Sequence, residues 1–392
     1  MKIAHVVSYF STLWKYQENF LAEEQAIDGH DVHVFTSNLN YPYPDYKTIA
    51  EPVLGPRLKR LAIEHTSGYT VHNLEVRFEF SHRVWLKGLM DELVLLQPDV
   101  IFCHGITQPH SFQLLYHKAL QGIPIIADEH VLLSDIKDSF SRKMFYRVTG
   151  FFFRKKMERR VKCYVGISDG VGKLFRELVG LSDLKVQIIP LGTDSRLFKP
   201  DPALGTAFRN RHHLPENAIV VGYTGKIGDY KKVHFLIDAA EKLPQFHICI
   251  LLVGNVFADY APFLSQKIET SSVKVVCLPA VTGQELPAVY NACDFLAWPA
   301  HQTISTVSAS SCGKPIICSD FLKERFEKGQ GLGVISGDFN SFFTAFRFFV
   351  ENESERQKMG ENGRHWAETE VSWTSIHLKF MRILSVEGEQ AC

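Results

Sequence analysis

The chain has 392 residues, too many for one ordinary domain and enough for two or three. Hydrophobic residues make up 45% and charged residues 22%, which excludes a disordered chain. Lys plus Arg is 43 and Asp plus Glu is 43, so the basic surplus that a general nucleic-acid binder needs is missing.

The N-terminal run Met1-Lys2-Ile3-Ala4-His5-Val6-Val7 is too short for a signal peptide and flows directly into a strand pattern. No stretch reaches the roughly 18 apolar residues of a membrane span. A soluble, cytoplasmic protein is expected, attached at most to the inner membrane face. Strands are predicted at Ile3–Val7, Asp31–Thr36, Pro98–Phe102, Ile123–Ala127, Cys163–Ile167 and Val186–Ile189, with a helix over Gln17–Ile27. Continuous apolar strands separated by helices describe a parallel sheet covered on both faces. The stretch from Lys199 through Asn217 breaks this rhythm and reads as a linker. Alternation then restarts with strands at Ala218–Thr224, His247–Val253, Val273–Leu278, Phe295–Trp298 and Pro315–Ser319, and helices at Val233–Lys242 and Gln284–Ala292. The expected fold class is α/β, with two doubly wound Rossmann-like domains facing across a cleft. In such a pair, ligands sit where strand C-termini meet helix N-termini.

Eight cysteines occur, none in a C-x-x-C pair and most inside apolar runs such as Val275-Val276-Cys277-Leu278. Buried free thiols in a reducing compartment are expected rather than a zinc site or a disulfide framework.

Three segments carry candidate chemistry. In Gly222–Lys232 a strand ends at Thr224, Gly225 and Gly228 free the backbone, and Lys226 and Lys231 flank the loop before a helix. Two point charges beside a helix N-terminus suit a diphosphate, and the Walker spacing is absent; an ordinary solvated turn is the alternative. In Trp298–Pro315 small hydroxyl residues cluster before a short helix that stops at Gly313. The backbone amides of Thr303, Ile304 and Ser305 are placed to hold an anion, or the hydroxyls act only as caps. In residues 151–162 three phenylalanines are followed by six cations, the composition of an interfacial helix on anionic lipid. A helix with a solvated basic face and buried aromatics has the same composition. Arg77, His82 and Arg83 add charge to it only if the fold brings them near.

These segments, in this order, resemble the GT-B glycosyltransferases of family 4, retaining enzymes that use nucleotide-sugars. The resemblance rests on Gly29-His30-Asp31-Val32, Cys163–Gly170, Ile188–Phe198, Gly225-Lys226 with Lys231, Tyr290–Asp294, Gly313-Lys314-Pro315 and Ser372-Trp373. It implies an acceptor-binding N-terminal domain over 1–195 and a nucleotide-sugar-binding domain over 200–370, with a C-terminal helix at 372–384 crossing back to the first. It implies that Lys226 and Lys231 bind the donor diphosphate and stabilise the leaving nucleotide, and that His130 faces the transferred sugar. No cofactor and no metal are expected, because the lysine pair substitutes for Mg²⁺. The expected partners are a nucleotide-sugar donor and a glycan, lipid-linked or small-molecule acceptor, with no nucleic acid. Peripheral membrane contact through 151–162 fits a lipid-linked acceptor.

Two departures stand out. The family usually carries two glutamates eight positions apart, and Ala300 and Ser308 occupy those places. Ser308 offers one hydroxyl to a ribose where a glutamate offers a charged pair of acceptors. In the first loop Trp14-Lys15-Tyr16-Gln17-Glu18-Asn19 resembles a G-Y-Q-E variant in which Lys15 replaces a glycine, exchanging backbone access for charge. The missing glutamates also motivate a rival reading, a non-catalytic partner subunit with a glycosyltransferase fold. A nucleotide-sugar epimerase of the same architecture fits the ordered segments less well.

Overall fold

The computed structural model describes residues 1–43, 46–131, 133–136, 139–300, 305–319, 333–336 and 338–385. The chain divides into two compact units, Met1–Leu191 with Ile376–Cys392, and Gly192–Ser375. Each is a doubly wound Rossmann-like α/β unit.

The first unit contains β1 (Lys2–Val6), β2 (Asp31–Ser37), β3 (Ile63–His65), β4 (Thr70–Leu74), β5 (Val76–Phe80), β6 (Arg83–Leu86), β7 (Val100–His104), β8 (Ile125–Glu129), β9 (Cys163–Gly166) and β10 (Val186–Ile188). Its main sheet runs β10-β9-β8-β7-β1-β2-β4-β3, with β3 antiparallel and the other pairings parallel. Every residue of β7 and β8 is buried, as strands covered by helices on both faces must be. The pair β5 and β6 forms a separate two-stranded ribbon. These four strands, β3 to β6, escape the sequence pattern because they are short and partly exposed. β4 alternates between half-buried and buried positions and carries His72 and Asn73.

The second unit contains β11 (Ile219–Thr224), β12 (Ile248–Val253), β13 (Lys274–Leu278), β14 (Phe295–Trp298), β15 (Ile316–Ser319) and β16 (Gly333–Ser336), parallel in the order β13-β12-β11-β14-β15-β16. Its core is built from the apolar strands β11, β12 and β14 and the phenylalanine stripe Phe342, Phe346 and Phe349 of the helix Phe339–Glu351.

Two expectations need correction. The expected linker holds a helix, Pro202–Arg211, started by the Asp201 carboxylate accepting from the Leu204 N–H at 2.9 Å and by a proline in its first turn. Gly205 lets that helix approach the backbone of Asn291, where a Cβ has no room. The described cysteines are free thiols and six are buried, but Cys277 is exposed because β13 is the edge strand of its sheet. Among the described residues, no helix is long and apolar enough to cross a membrane.

Candidate active site

The second sheet reverses its strand order at β11. Strands β12 and β13 lie on one side and β14, β15 and β16 on the other, which makes the C-terminal ends of β11 and β14 the topological switch point. The loop after β11 carries Gly225, Lys226 and Lys231. Gly225 has φ +132°, a conformation closed to ordinary side chains, and its N–H donates to the Val253 carbonyl at 3.0 Å. The Tyr223 hydroxyl donates to the Lys226 carbonyl at 2.7 Å and fixes the turn from beneath. Lys226 is exposed and Lys231 is half-buried. Burial, then the neighbouring charge of Lys226, pulls the Lys231 ammonium below its ordinary pKa. Two cations on one loop, one of them depressed by the other's charge, have the chemistry to hold a multiply charged anion.

The end of β14 is tied to the same loop. The Trp298 indole donates to the Thr224 carbonyl at 2.9 Å, and the buried Tyr290 hydroxyl lies 3.4 Å from Thr224 Oγ1 and bonds to Ser305. The structure therefore brings Gly225, Lys226, Lys231 and Ser305 to one edge of one sheet. Thr303 and Ile304 lie outside the described residues. Ser308 sits on the short helix Ser305–Ser311, where its hydroxyl is 3.1 Å from Thr193 Oγ1. That hydroxyl is already shared, so Ser308 has less to offer a ribose than its position alone suggests.

The first unit holds a second cluster. His130 follows β8 directly, and its Nε2 lies 3.9 Å from the Asp128 carboxylate. Burial works against its charge, but Asp128, with Glu18 and Glu129, outweighs this and raises the His130 pKa to about 9. Asp128 is buried and also meets His104 Nδ1 at 2.8 Å and the Gln17 amide at 3.4 Å. His104 Nε2 meets His5 Nδ1 at 2.9 Å, and His5 Nε2 meets Gln25 Oε1 at 2.6 Å. Three atoms at the mouth of this chain lack any hydrogen-bond partner: Gln17 Oε1, Asp128 Oδ1 and His130 Nε2. Orphaned buried polar atoms at the C-terminal edge of a parallel sheet are what a hydroxyl-rich ligand would satisfy. Sequence reasoning selected His130 and missed Gln17, His104, Asp128 and His5. For His5, His104 and Asp128 the sequence shows only a polar residue in a largely apolar strand, with nothing to say that the three meet, and Gln17 opens a helix.

Lys15 is held by Glu23 in an ion pair and lies over the Phe20 ring at 5.7 Å. A phosphate would have to compete with Glu23 for it. Among the described residues, one histidine–carboxylate trio has metal-like spacing: the ligand atoms of Asp28, His30 and His377 lie within 4.8 Å of one another. The buried His377 Nδ1 has no partner, whereas a metal-bound imidazole ordinarily donates its other N–H to an acceptor. The trio is a polar contact between the C-terminal helix, Trp373–Ser385, and the turn before β2, with His377 Nε2 3.1 Å from the Asp28 carboxylate. On the helix Phe140–Arg160, Phe151 is 84% and Phe152 is 68% exposed, while Phe153 packs against Phe112. Phe140, Met144 and Val148 continue the exposed apolar stripe, and the Arg83 guanidinium stacks over Phe145 at 4.3 Å.

The family model described as Glycosyltransferase Family 4 matches residues 20–197, and that described as Glycosyl transferases group 1 matches residues 206–366. The chain belongs to the family 4 glycosyltransferases of GT-B fold. This family 4 chain is 25% identical over 217 residues to a GDP-mannose-dependent phosphatidylinositol monomannoside mannosyltransferase of Mycolicibacterium smegmatis, covering 51% of this chain and 56% of that one. It is 29% identical over 149 residues to a D-inositol 3-phosphate glycosyltransferase of Stackebrandtia nassauensis, covering 34% and 33%. The chain thus spans about half the length of the first relative and a third of the second. HepE from Anabaena, solved with UDP and glucose, shares the fold at a TM-score of 0.65 and 19% identity over 98% of this chain and 99% of that chain. Sucrose-phosphate synthase from Thermosynechococcus elongatus does so at 0.70 and 17% over 98% of each chain.

Proposed function

We propose that the chain transfers a sugar from a nucleotide-sugar to an acceptor with retention of configuration, by a front-face route. The observation that carries this reading is the Lys226–Lys231 pair on the glycine-bearing loop at the switch point. There the two ammonium groups would take the donor diphosphate and the charge that grows on it as the glycosidic bond breaks. In a front-face route the leaving phosphate itself accepts the acceptor's proton, so no general-base carboxylate is required. No metal enters this scheme, since the lysines supply the charge that a divalent cation would. The GDP-mannose of the mannosyltransferase relative and the UDP and UDP-glucose bound by HepE support a nucleoside diphosphate sugar. Mixing the protein with candidate nucleotide-sugars tests this: a bound donor at 100 times its Kd adds about 2.7 kcal/mol of stability. An enzyme also releases nucleotide slowly without acceptor, whereas the rival partner subunit releases none.

His130, raised to about 9, would present a charged N–H to the hydroxyls of the transferred sugar near neutral pH. His130→Ala is expected to cut turnover strongly, ~10²-fold, as loss of one positioned donor does. Nucleoside diphosphate affinity and Tm should stay close to the parent's. A fall in Tm proportionate to the fall in activity would make His130 a packing residue.

Among the three acceptor classes, the exposed phenylalanine and cation stripe of Phe140–Arg160 favours a lipid-linked one presented at an anionic bilayer. The double change Phe151→Ser with Phe152→Ser should abolish co-sedimentation with vesicles containing acidic phospholipid while leaving donor hydrolysis intact. Equal sedimentation of the variant would remove the membrane from this reading.

A further inference from the structure

The buried chain from Gln25 to Asp128 has a definite proton arrangement. Gln25 presents Oε1 to His5 Nε2 at 2.6 Å, so that nitrogen carries the proton and donates. Burial, then the adjacent His104, pulls the His5 pKa down to about 3, so its ring is neutral and Nδ1 holds a lone pair. His104 Nε2, 2.9 Å away, must then donate to it. On its other side His104 Nδ1 faces the Asp128 carboxylate at 2.8 Å, which only accepts. Both ring nitrogens of His104 are donors, so His104 is an imidazolium although its side chain is only 4% exposed. Burial opposes that charge and Asp128 overcomes it, raising the His104 pKa and holding the Asp128 carboxyl well below its ordinary range. Strand register puts the pieces in place, since His104 pairs directly with Asp128 across β7 and β8.

We propose that His104 is a positioning residue for His130: anchored by neutral His5, its imidazolium clamps one oxygen of Asp128 and so fixes the carboxylate that faces the sugar-binding histidine. The proposal deepens the reading of His130 given above and rests on it for its functional consequence. The groups facing this cluster are Gln17 and Glu18 from the helix Gln17–Ile27, His5 from β1, His104 from β7, and Asp128 and Glu129 from β8. Asp128 is shared between two cations, and this gives two variants opposite signs. Removing the carboxylate leaves burial opposed only by the smaller contributions of Glu18 and Glu129, and lowers the His130 pKa. Removing the His104 charge leaves Asp128 less neutralised and raises it. A network that only packs the core predicts no such sign reversal.

The test follows the His130 ring by ¹⁵N-edited NMR of the full chain, beside kcat and KM for donor hydrolysis across pH. In Asp128→Asn, an isosteric change, the His130 titration should fall by about two units. The basic limb of kcat should move down with it, while donor KM holds. In His104→Gln both should move up. Titration of His130 at one pH in parent and both variants would overturn the proposal, as would a downward shift in both. If His130→Ala keeps full activity, the sugar-facing role fails, yet the two opposed titration shifts would still establish the clamp.

Discussion

Replacing Lys226 or Lys231 by alanine is expected to lower turnover ~10²–10³-fold each, about 2–4 kcal/mol of transition-state stabilisation, the cost of removing one preorganised donor at a developing oxyanion. The two lysines stand on opposite ends of a single loop, and Lys231 is desolvated enough for its pKa to fall. A half-buried ammonium loses less to solvent screening than an exposed one, so Lys231→Ala should cost the more of the two. Both groups would act on one diphosphate, so the double variant should fall short of the product of the singles. Lys232 is the internal control. It is adjacent in sequence, but its ammonium pairs with Asp229 at 3.0 Å, and Lys232→Ala should leave kcat within a factor of about two, as surface pairs usually do. Near-normal turnover in both Lys226→Ala and Lys231→Ala would remove the clamp, and with it the route that dispenses with a metal.

How far the sequence reaches is visible in these same residues. The cations are legible because they belong to one short segment between a strand and a helix, and local spacing is what a sequence displays. The central strands are legible too, because burial on both faces of a parallel sheet demands unbroken apolar runs, as in the fully buried β12. The histidine chain is not legible. His5, His104 and Asp128 are separated by 99 and 24 residues and meet only through register, with β1 beside β7 and β7 beside β8. A slip of one residue would send each side chain to the opposite face, and strand pairing across 24 to 99 residues is not displayed by local spacing. The helix inside the expected linker was hidden by its flanking prolines. Those at 200 and 202 read as breakers, although a proline in the first turn starts a helix as readily as it ends one.

Gly254 was equally silent in the sequence, and the structure gives it the second large effect. It follows β12 and lies against the backbone of Gly225, so that an added Cβ would overlap the Gly225 carbonyl oxygen and sit 2.8 Å from its carbon. The obstacle is backbone, which cannot swing aside as the end of a side chain can. The two loops are also stitched together: Gly225 N–H donates to the Val253 carbonyl at 3.0 Å, and Ile227 N–H to the Asn255 carbonyl at 2.9 Å. Gly254→Ala therefore has to push the Gly225–Lys226 segment away from β12 and break those bonds. Overpacking of this kind costs about 3 kcal/mol. For a unit of this size that corresponds to a fall in Tm of roughly 10 °C. The functional loss should exceed the structural one, because a shift of about 1 Å in a positioned charge is enough to cost ~10²-fold in rate. Gly283→Ala is the matched control, since nothing lies within 4 Å of its added methyl, and its Tm should match or slightly exceed the parent's. If differential scanning calorimetry and donor titration find Gly254→Ala indistinguishable from Gly283→Ala, the β12 edge does not set the position of the loop. The lysines would then owe their placement to Tyr223 beneath them and to Trp298 from β14.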